Sequence, residues 1–371
     1  MTSREKIDAA LDHREAPVGY DQSSRSSAIE FSAYNDLKRY LGMDTPTKCF
    51  LRAHAELEQP VMKRLGVDTR FLHAFPEYCW MQEAGGDHIF IDAWDVPWRK
   101  HAGSEYYELD KTPLSEMSHA EILSGRWKPL VDQQQSAILA EEARWWHEQT
   151  EYALFCDQIG AGIFERAWYL RGYEQFFMEL MQEKSFVHRF LEKILEHQIE
   201  GYRKVIEAAG PWIKGVLLTD DLASQSSLLI SPDLYREMVY PYHKKLLAFL
   251  ASQNMRVVFH SCGAVYDLLP DLISAGVRIL HPVQVSAENM DLRKIKKKYG
   301  SDIVLWGGGC DTAVLQNETP RAVRESVLSN LEILAPGGGY VFTTTHCIQP
   351  GTPAENIVAM SEALKEFNGG E

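Results

Sequence analysis

Arg256-Val257-Val258-Phe259-His260-Ser261-Cys262-Gly263 is the stretch that decides the fold. It is a short run of β-branched and aromatic residues that stops at polar side chains and then at a glycine, the form of a strand buried on both faces. The same form recurs in Gly215–Asp221, Arg278–Gln284, Ile303–Gly309 and Tyr340–His346, with helix-like stretches between them. Ser231 reads as an N-cap with Pro232 at the first helical position, opening a helix through Ala251. Strand–helix alternation with short connections implies right-handed βαβ units and a parallel sheet. Ala153–Asp157, Val67–His73 and Val18–Asp21 supply three earlier strands, and eight close a barrel. The expected fold is therefore an α/β TIM (β/α)8 barrel with an N-terminal helical extension, forming one domain over 1–371 with an insertion around 74–150. Inside that insertion, Trp94–Trp98 and Tyr106–Leu109 read as a small hairpin.

Composition narrows the partners. Of 371 residues, 45% are hydrophobic and 24% charged, which suits a large folded core. The net charge of −14 repels a phosphate backbone, so nucleic acid is not an expected partner. Arg293-Lys294-Ile295-Lys296-Lys297-Lys298 is the one dense basic run, and a solvated helix face accounts for it. No window reaches the roughly 18 consecutive apolar residues of a membrane span. The expected location is cytoplasmic, where the six cysteines are thiols or metal ligands rather than a disulfide framework.

Chemistry-bearing residues collect at the ends of the expected strands, where barrels of this kind carry their sites. These are Asp220 and Asp221, His260 and Cys262, His281, Cys310, and His346 with Cys347. Side chains at i and i+2 on a strand share a face, so His260 and Cys262 can converge on one ion. Zinc accepts such nitrogen and sulfur donors, with Cys347, Cys310 or both as further ligands. Gly263 lets the chain turn directly after the pair. Cys49, Cys79 and Cys156, early in the chain, read as core or incidental thiols.

Asp220 and Asp221 are candidate proton donors, because neighbouring carboxylates in a confined site raise one apparent pKa. Adjacent strand positions point to opposite faces, however, so only one of them can line a pocket. His281 and Gln284, at another strand end, are candidates to hydrogen-bond a substrate, and His346 to orient a neighbouring ligand. The nine tryptophans offer flat surfaces that suit a methoxylated aromatic compound, although core packing accounts for most of them. Gly307–Gly309 and Gly337–Gly339 match no phosphate-loop pattern and serve as turns.

The stretch Phe259–Gly263, with Gly276-Val277 and Gly351-Thr352-Pro353-Ala354-Glu355-Asn356-Ile357, resembles the zinc-dependent methyltransferase branch of the uroporphyrinogen decarboxylase superfamily. The resemblance extends to the opening segment Arg4–His13, to Asp220-Asp221, to Ser231–Tyr235 and to Pro241-Tyr242. It implies a zinc ion held by a His-x-Cys pair and a distant Cys before a Thr-Pro-x-Glu-Asn segment, here His260, Cys262 and Cys347. Phe164–Tyr173 resembles a pocket segment of the family, which makes Glu165, Arg171 and Tyr173 candidate substrate-binding residues. True uroporphyrinogen decarboxylases carry an Arg-Gln-Ala-Gly-Arg stretch near the N-terminus that grips substrate carboxylates. Asp21–Ser27 occupies that region here and lacks it.

What the resemblance implies is a zinc-dependent methyltransferase that moves a methyl group between a small O-methyl compound and a corrinoid (cobalamin) carried by a separate protein. It leaves room for a homodimer. The competing expectations are a decarboxylase of a tetrapyrrole or another acid, and a non-catalytic barrel that binds a small molecule.

Overall fold

The computed structural model describes residues 1–43, 45–46, 57–74, 81–84 and 86–369. Eight parallel strands form the main sheet. In chain order they are β1 (Gly19–Tyr20), β2 (Thr69–Leu72), β7 (Ala153–Cys156), β8 (Gly215–Thr219), β9 (Arg256–His260), β10 (Ile279–His281), β11 (Val304–Trp306) and β12 (Tyr340–Phe342). The order around the sheet is β1-β12-β11-β10-β9-β8-β7-β2, so each strand lies beside its successor and β1 returns to β12. Between β1 and β2 the junction is made by hydrogen bonds rather than a ladder: Asp68 N donates to Tyr20 O at 2.7 Å, and Tyr20 N donates to Asp68 Oδ2 at 3.0 Å. The result is a nearly closed TIM barrel, as the strand–helix alternation implies.

Alternation along the strands sorts the core into two layers. Phe71, Phe155, Leu217, Val258, Ile279, Val304, Trp306 and Val341 fill the barrel interior. Ile7, Ala10 and Leu11 join them from the opening helix Ser3–Leu11, which plugs the N-terminal end of the barrel. The residues between these inward positions pack against the surrounding helices in a second, larger cluster.

Two sequence expectations change. The insertion holds more than a hairpin: β3 (Met81–Ala84), β4 (Asp87–Ile91), β5 (Pro97–Lys100) and β6 (Glu108–Leu109) form an antiparallel sheet, and helices His119–Ser124 and Gln133–Gln149 follow. The helix expected from Ser231 to Ala251 is two, Pro232–Met238 and Tyr240–Ser252. Ser231 caps the first as expected, but Pro241 has no N–H to continue its hydrogen-bond ladder, so a new helix starts there. The basic run lies on helix Leu292–Tyr299, its lysines largely solvated. Cys49 and Cys79 lie outside the described residues, and Cys156 is a buried core thiol. Among the described residues, no helix is long and apolar enough to cross a membrane.

Candidate metal centre

Val258 points into the barrel, so His260 and, past the strand end, Cys262 point inward as well. The same parity on β8 takes Leu217, Thr219 and Asp221 inward and sends Asp220 outward. Three donors therefore meet at the C-terminal mouth: Asp221, His260 and Cys262 offer ligand atoms that all lie within 4.8 Å of one another. Cys262 Sγ is 3.3 Å from His260 Nε2, and Asp221 Oδ1 is 3.8 Å from the same nitrogen. Tetrahedral zinc with ordinary bond lengths places its ligand atoms about 3.5 Å apart, so these donors fit such an ion with little movement.

The loop after β9 is fixed around this point. Cys262 N donates to Asp221 Oδ1 at 2.8 Å, and Gly263 N donates to Gln284 Oε1 at 2.7 Å. Gly263 has φ +88°, and a Cβ there would stand 2.4 Å from the carbonyl oxygen of Ser224. Only glycine fits that turn. Gln284 in turn donates to Gln225 Oε1 at 2.8 Å, so it holds the loop rather than reaching for a substrate.

Burial pushes the Cys262 thiol well above its ordinary pKa, and the charges of Asp221, Cys347 and Glu165 push it the same way. His260 is driven well below its usual value by burial, then by His281 and His346. His281, whose Nδ1 lies 2.7 Å from His260 Nδ1, is lowered by burial to about 4. Neutral imidazoles and acidic donors gathered at one point are what a divalent cation selects, since it favours thiolate over thiol.

The remaining expected site residues divide. Asp220 is fully buried behind the strand and accepts from Phe164 N (2.9 Å), Glu165 N (2.7 Å) and His243 Nε2 (2.7 Å). It therefore anchors the start of helix Ile163–Arg171. Gly162 lets it come this close, because a Cβ there would lie 2.4 Å from the Asp220 side chain. Glu165, in the first turn of that helix, acts on Cys262 through its charge, and Tyr169 donates a hydroxyl to it.

Arg171 does not face the site. It is buried, paired with Glu179 at 2.7 Å, and it donates to the carbonyls of Leu114, Ser115 and Met117. Tyr173 is half exposed and stacks on Phe177 with ring centroids 4.3 Å apart. Cys310 belongs to the outer core layer, donates to Asp311 O at 3.6 Å, and is raised by burial to about 12. It stands on the wrong side of the sheet for the donor group. Cys347 is buried and its charge acts on Cys262, but it is not one of the three grouped donors, whose third member is Asp221.

Sequence reasoning did not foresee the His260–His281 ring contact. The signal was present, since both residues end neighbouring strands and are paired in register.

Residues 159–367 match the family model for uroporphyrinogen decarboxylase (URO-D), more than half of the chain. The chain belongs to the URO-D family. Among its relatives, the methylated-thiol–coenzyme M methyltransferase of Methanosarcina mazei is 28% identical over 183 residues, covering 48% of this chain and 44% of that protein. The uroporphyrinogen decarboxylase of Coxiella burnetii is 25% identical over 194 residues, covering 51% of this chain and 50% of that one. The chain thus spans about half the length of the curated relatives it matches. A solved methyltransferase from Methanosarcina mazei superposes over 99% of both chains with a TM-score of 0.68 at 19% identity, which establishes a shared fold.

In the Asp21–Ser27 segment, Asp21 accepts from Ser23, Ser24 and Ser27, and from Thr69 and Trp306 of the barrel. The segment folds onto its own carboxylate.

Proposed function

We propose that this URO-D family protein is a zinc-dependent methyltransferase that moves a methyl group between a small O-methyl compound and a corrinoid carried by a partner protein. The convergence of Asp221, His260 and Cys262 at the barrel mouth carries the reading. The similarity to a methyltransferase and the self-satisfied Asp21–Ser27 segment, in place of a carboxylate-gripping arginine stretch, support it.

Asp221, His260 and Cys262 would hold the ion, with Cys347, whose charge acts on Cys262, as the candidate fourth donor. When bound, zinc supplies a Lewis acid for an oxygen or sulfur atom of the substrate. The chain's own residues do the rest. Gln284 and Asp221 fix the loop that carries Cys262, so the donors are held before the ion arrives. His281 orients the His260 ring from behind. Asp220 aims the helix that presents Glu165, which we assign to hold the proton taken up by the leaving oxygen. In the transfer the methyl–oxygen bond breaks, and its electron pair stays with the oxygen, which gains that proton. The methyl group passes to the reduced corrinoid of the partner, which supplies the new bonding pair.

Metal analysis of purified protein beside single variants tests the site. Wild type is expected to hold one zinc per chain, Cys262→Ser and His260→Ala to lose it, and Cys310→Ser to keep it. Cys347→Ser is expected to fall between these, with weaker retention against a chelator. Methyl transfer from an O-methyl donor to cob(I)alamin, followed by its visible spectrum, tests the reaction. Metal-free wild type that decarboxylates uroporphyrinogen would replace this reading with the decarboxylase one, which the similarity to Coxiella burnetii uroporphyrinogen decarboxylase keeps in view.

A further inference from the structure

We propose that Gln225, on the exposed turn after β8, is a positioning residue of the metal centre. With Gln284 it turns the loop after β10, from which none of the three grouped donors comes, into the cradle that sets the place of Cys262. The inference rests on the zinc reading above.

The end of β10 and the loop after it meet the metal strand at successive points. His281 Nδ1 lies 2.7 Å from His260 Nδ1, and Ser261 N donates to His281 O at 2.8 Å. Further along, Gln284 Oε1 accepts from Gly263 N at 2.7 Å. Gln284 Nε2 then donates to Gln225 Oε1 at 2.8 Å, and Gln225 Nε2 donates to Ser286 O at 2.7 Å, back on the β10 loop. The backbone makes the same connection: Glu288 N donates to Gln225 O and Ala264 N to Ser224 O, both at 2.9 Å. The turn Ser224–Ser227 therefore joins the loops after β8, β9 and β10.

The chain of amides has one direction only. Gly263 N–H can only donate, so Gln284 must present its oxygen there and its nitrogen to Gln225. Gln225 must then present its oxygen to Gln284 and its nitrogen to the Ser286 carbonyl. Glutamate at 225 has no donor for Ser286, and asparagine is too short to span both partners. Hydrogen bonds aligned in this way polarise one another. Ser224, Gln225, Ser226 and Ser227 are all exposed, so these bonds form in competition with water and add little to the stability of the barrel. What they do fix is the turn that follows Cys262. At Gly263 a Cβ would stand 2.4 Å from the Ser224 carbonyl oxygen and 2.8 Å from that of Ala223, so the metal loop rests directly on the Gln225 turn. Displacing one displaces the other.

Zinc release from loaded protein to the chelator 4-(2-pyridylazo)resorcinol tests this, beside urea denaturation of the metal-free protein. Gln225→Ala and Gln284→Ala are each expected to release zinc about tenfold faster than wild type, with unchanged denaturation midpoints. The double variant is expected to match the singles, because both residues act through one chain. Gln225→Asn and Gln225→Glu are expected to behave as Gln225→Ala does, and either stands in if that variant does not fold. Cobalt(II) loaded in place of zinc gives a second readout: its visible bands follow the arrangement of the donors and are expected to shift alike in both single variants.

Zinc release and cobalt bands that stay at wild-type values in Gln225→Ala overturn the proposal. So does a double variant about a hundredfold faster than wild type, which would mean two independent supports, or a fall in the metal-free midpoint large enough to account for the faster release. Each of these alongside stoichiometric zinc in the wild type defeats this inference alone. A wild type that takes up no zinc defeats the reading it rests on, and this inference with it.

Discussion

Thr219 ends β8 pointing into the barrel, so the next side chain, Asp220, points out and Asp221 points in again. The sequence shows the pair and the parity rule shows that only one can face a pocket; which one required the phase of the strand, and Leu217 in the interior cluster sets it. The two carboxylates consequently have separable roles. Asp220→Asn leaves two helix amides and His243 with a weaker partner in a dry environment, and is expected to destabilise the fold by about 2 kcal/mol while zinc is retained. Asp221→Asn is expected to change stability by less than about 1 kcal/mol and to release zinc. Urea denaturation beside metal analysis checks both, and zinc loss from the Asp220 variant with retention in the Asp221 variant would reverse the assignment. That His260 and Cys262 share a face was legible because period-two spacing survives past a strand end. Cys310 misled because its strand-end position says nothing about which side of the sheet its sulfur takes.

Between elements, the misreading of Arg171 is instructive. From sequence it lies in a pocket-like segment after a strand; in the fold it is the pin between helix Ile163–Arg171 and helix Tyr173–Gln182, paired with Glu179 of the second. An arginine that satisfies loop carbonyls and one that grips a substrate look alike in a sequence, because the difference lies in partners 54 to 57 residues away. Burial alone would raise the Glu179 carboxyl, but hydrogen bonds from Arg171, Gln175 and His119 outweigh it and hold the pKa below the ordinary glutamate value. A carboxyl depressed in the folded state stabilises fully above its unfolded value and loses that contribution as pH falls through the lower folded value. Acid unfolding of the wild type should therefore steepen below about pH 4.3, the ordinary glutamate value, and Glu179→Gln should flatten that limb. At neutral pH the same variant strands a buried guanidinium and is expected to lose about 3 kcal/mol. Thermal melts across pH test this, and an unchanged acid limb would remove Glu179 from the account.

Across the whole molecule the two ends of the barrel carry different duties. The mouth gathers Asp221, His260 and Cys262, while the opposite end is stoppered by helix Ser3–Leu11, whose Ile7 is fully buried among the interior residues. Asp68 ties that stopper to the sheet, accepting from Ser3 Oγ at 2.5 Å, from Lys6 Nζ at 3.2 Å and from Tyr20 N at 3.0 Å. The strand pattern foretold the barrel, but a stopper leaves a weak trace in sequence, because a short helix with one apolar face reads the same wherever it packs. If stability and chemistry are divided in this way, damage at the stopper should stay there. Ile7→Ala removes a buried side chain that Gly19 was kept small to admit, since a Cβ at Gly19 would lie 2.6 Å from Ile7 Cδ1. The cavity should cost about 2–4 kcal/mol, read as a lower denaturation midpoint with an unchanged slope. Zinc content and substrate affinity of the still-folded protein should match the wild type. Loss of zinc from Ile7→Ala under conditions where the barrel remains folded would mean that the two ends are coupled through the interior layer of Phe71, Phe155 and Trp306, in which the two phenylalanine rings stack and Trp306 meets each of them edge to face.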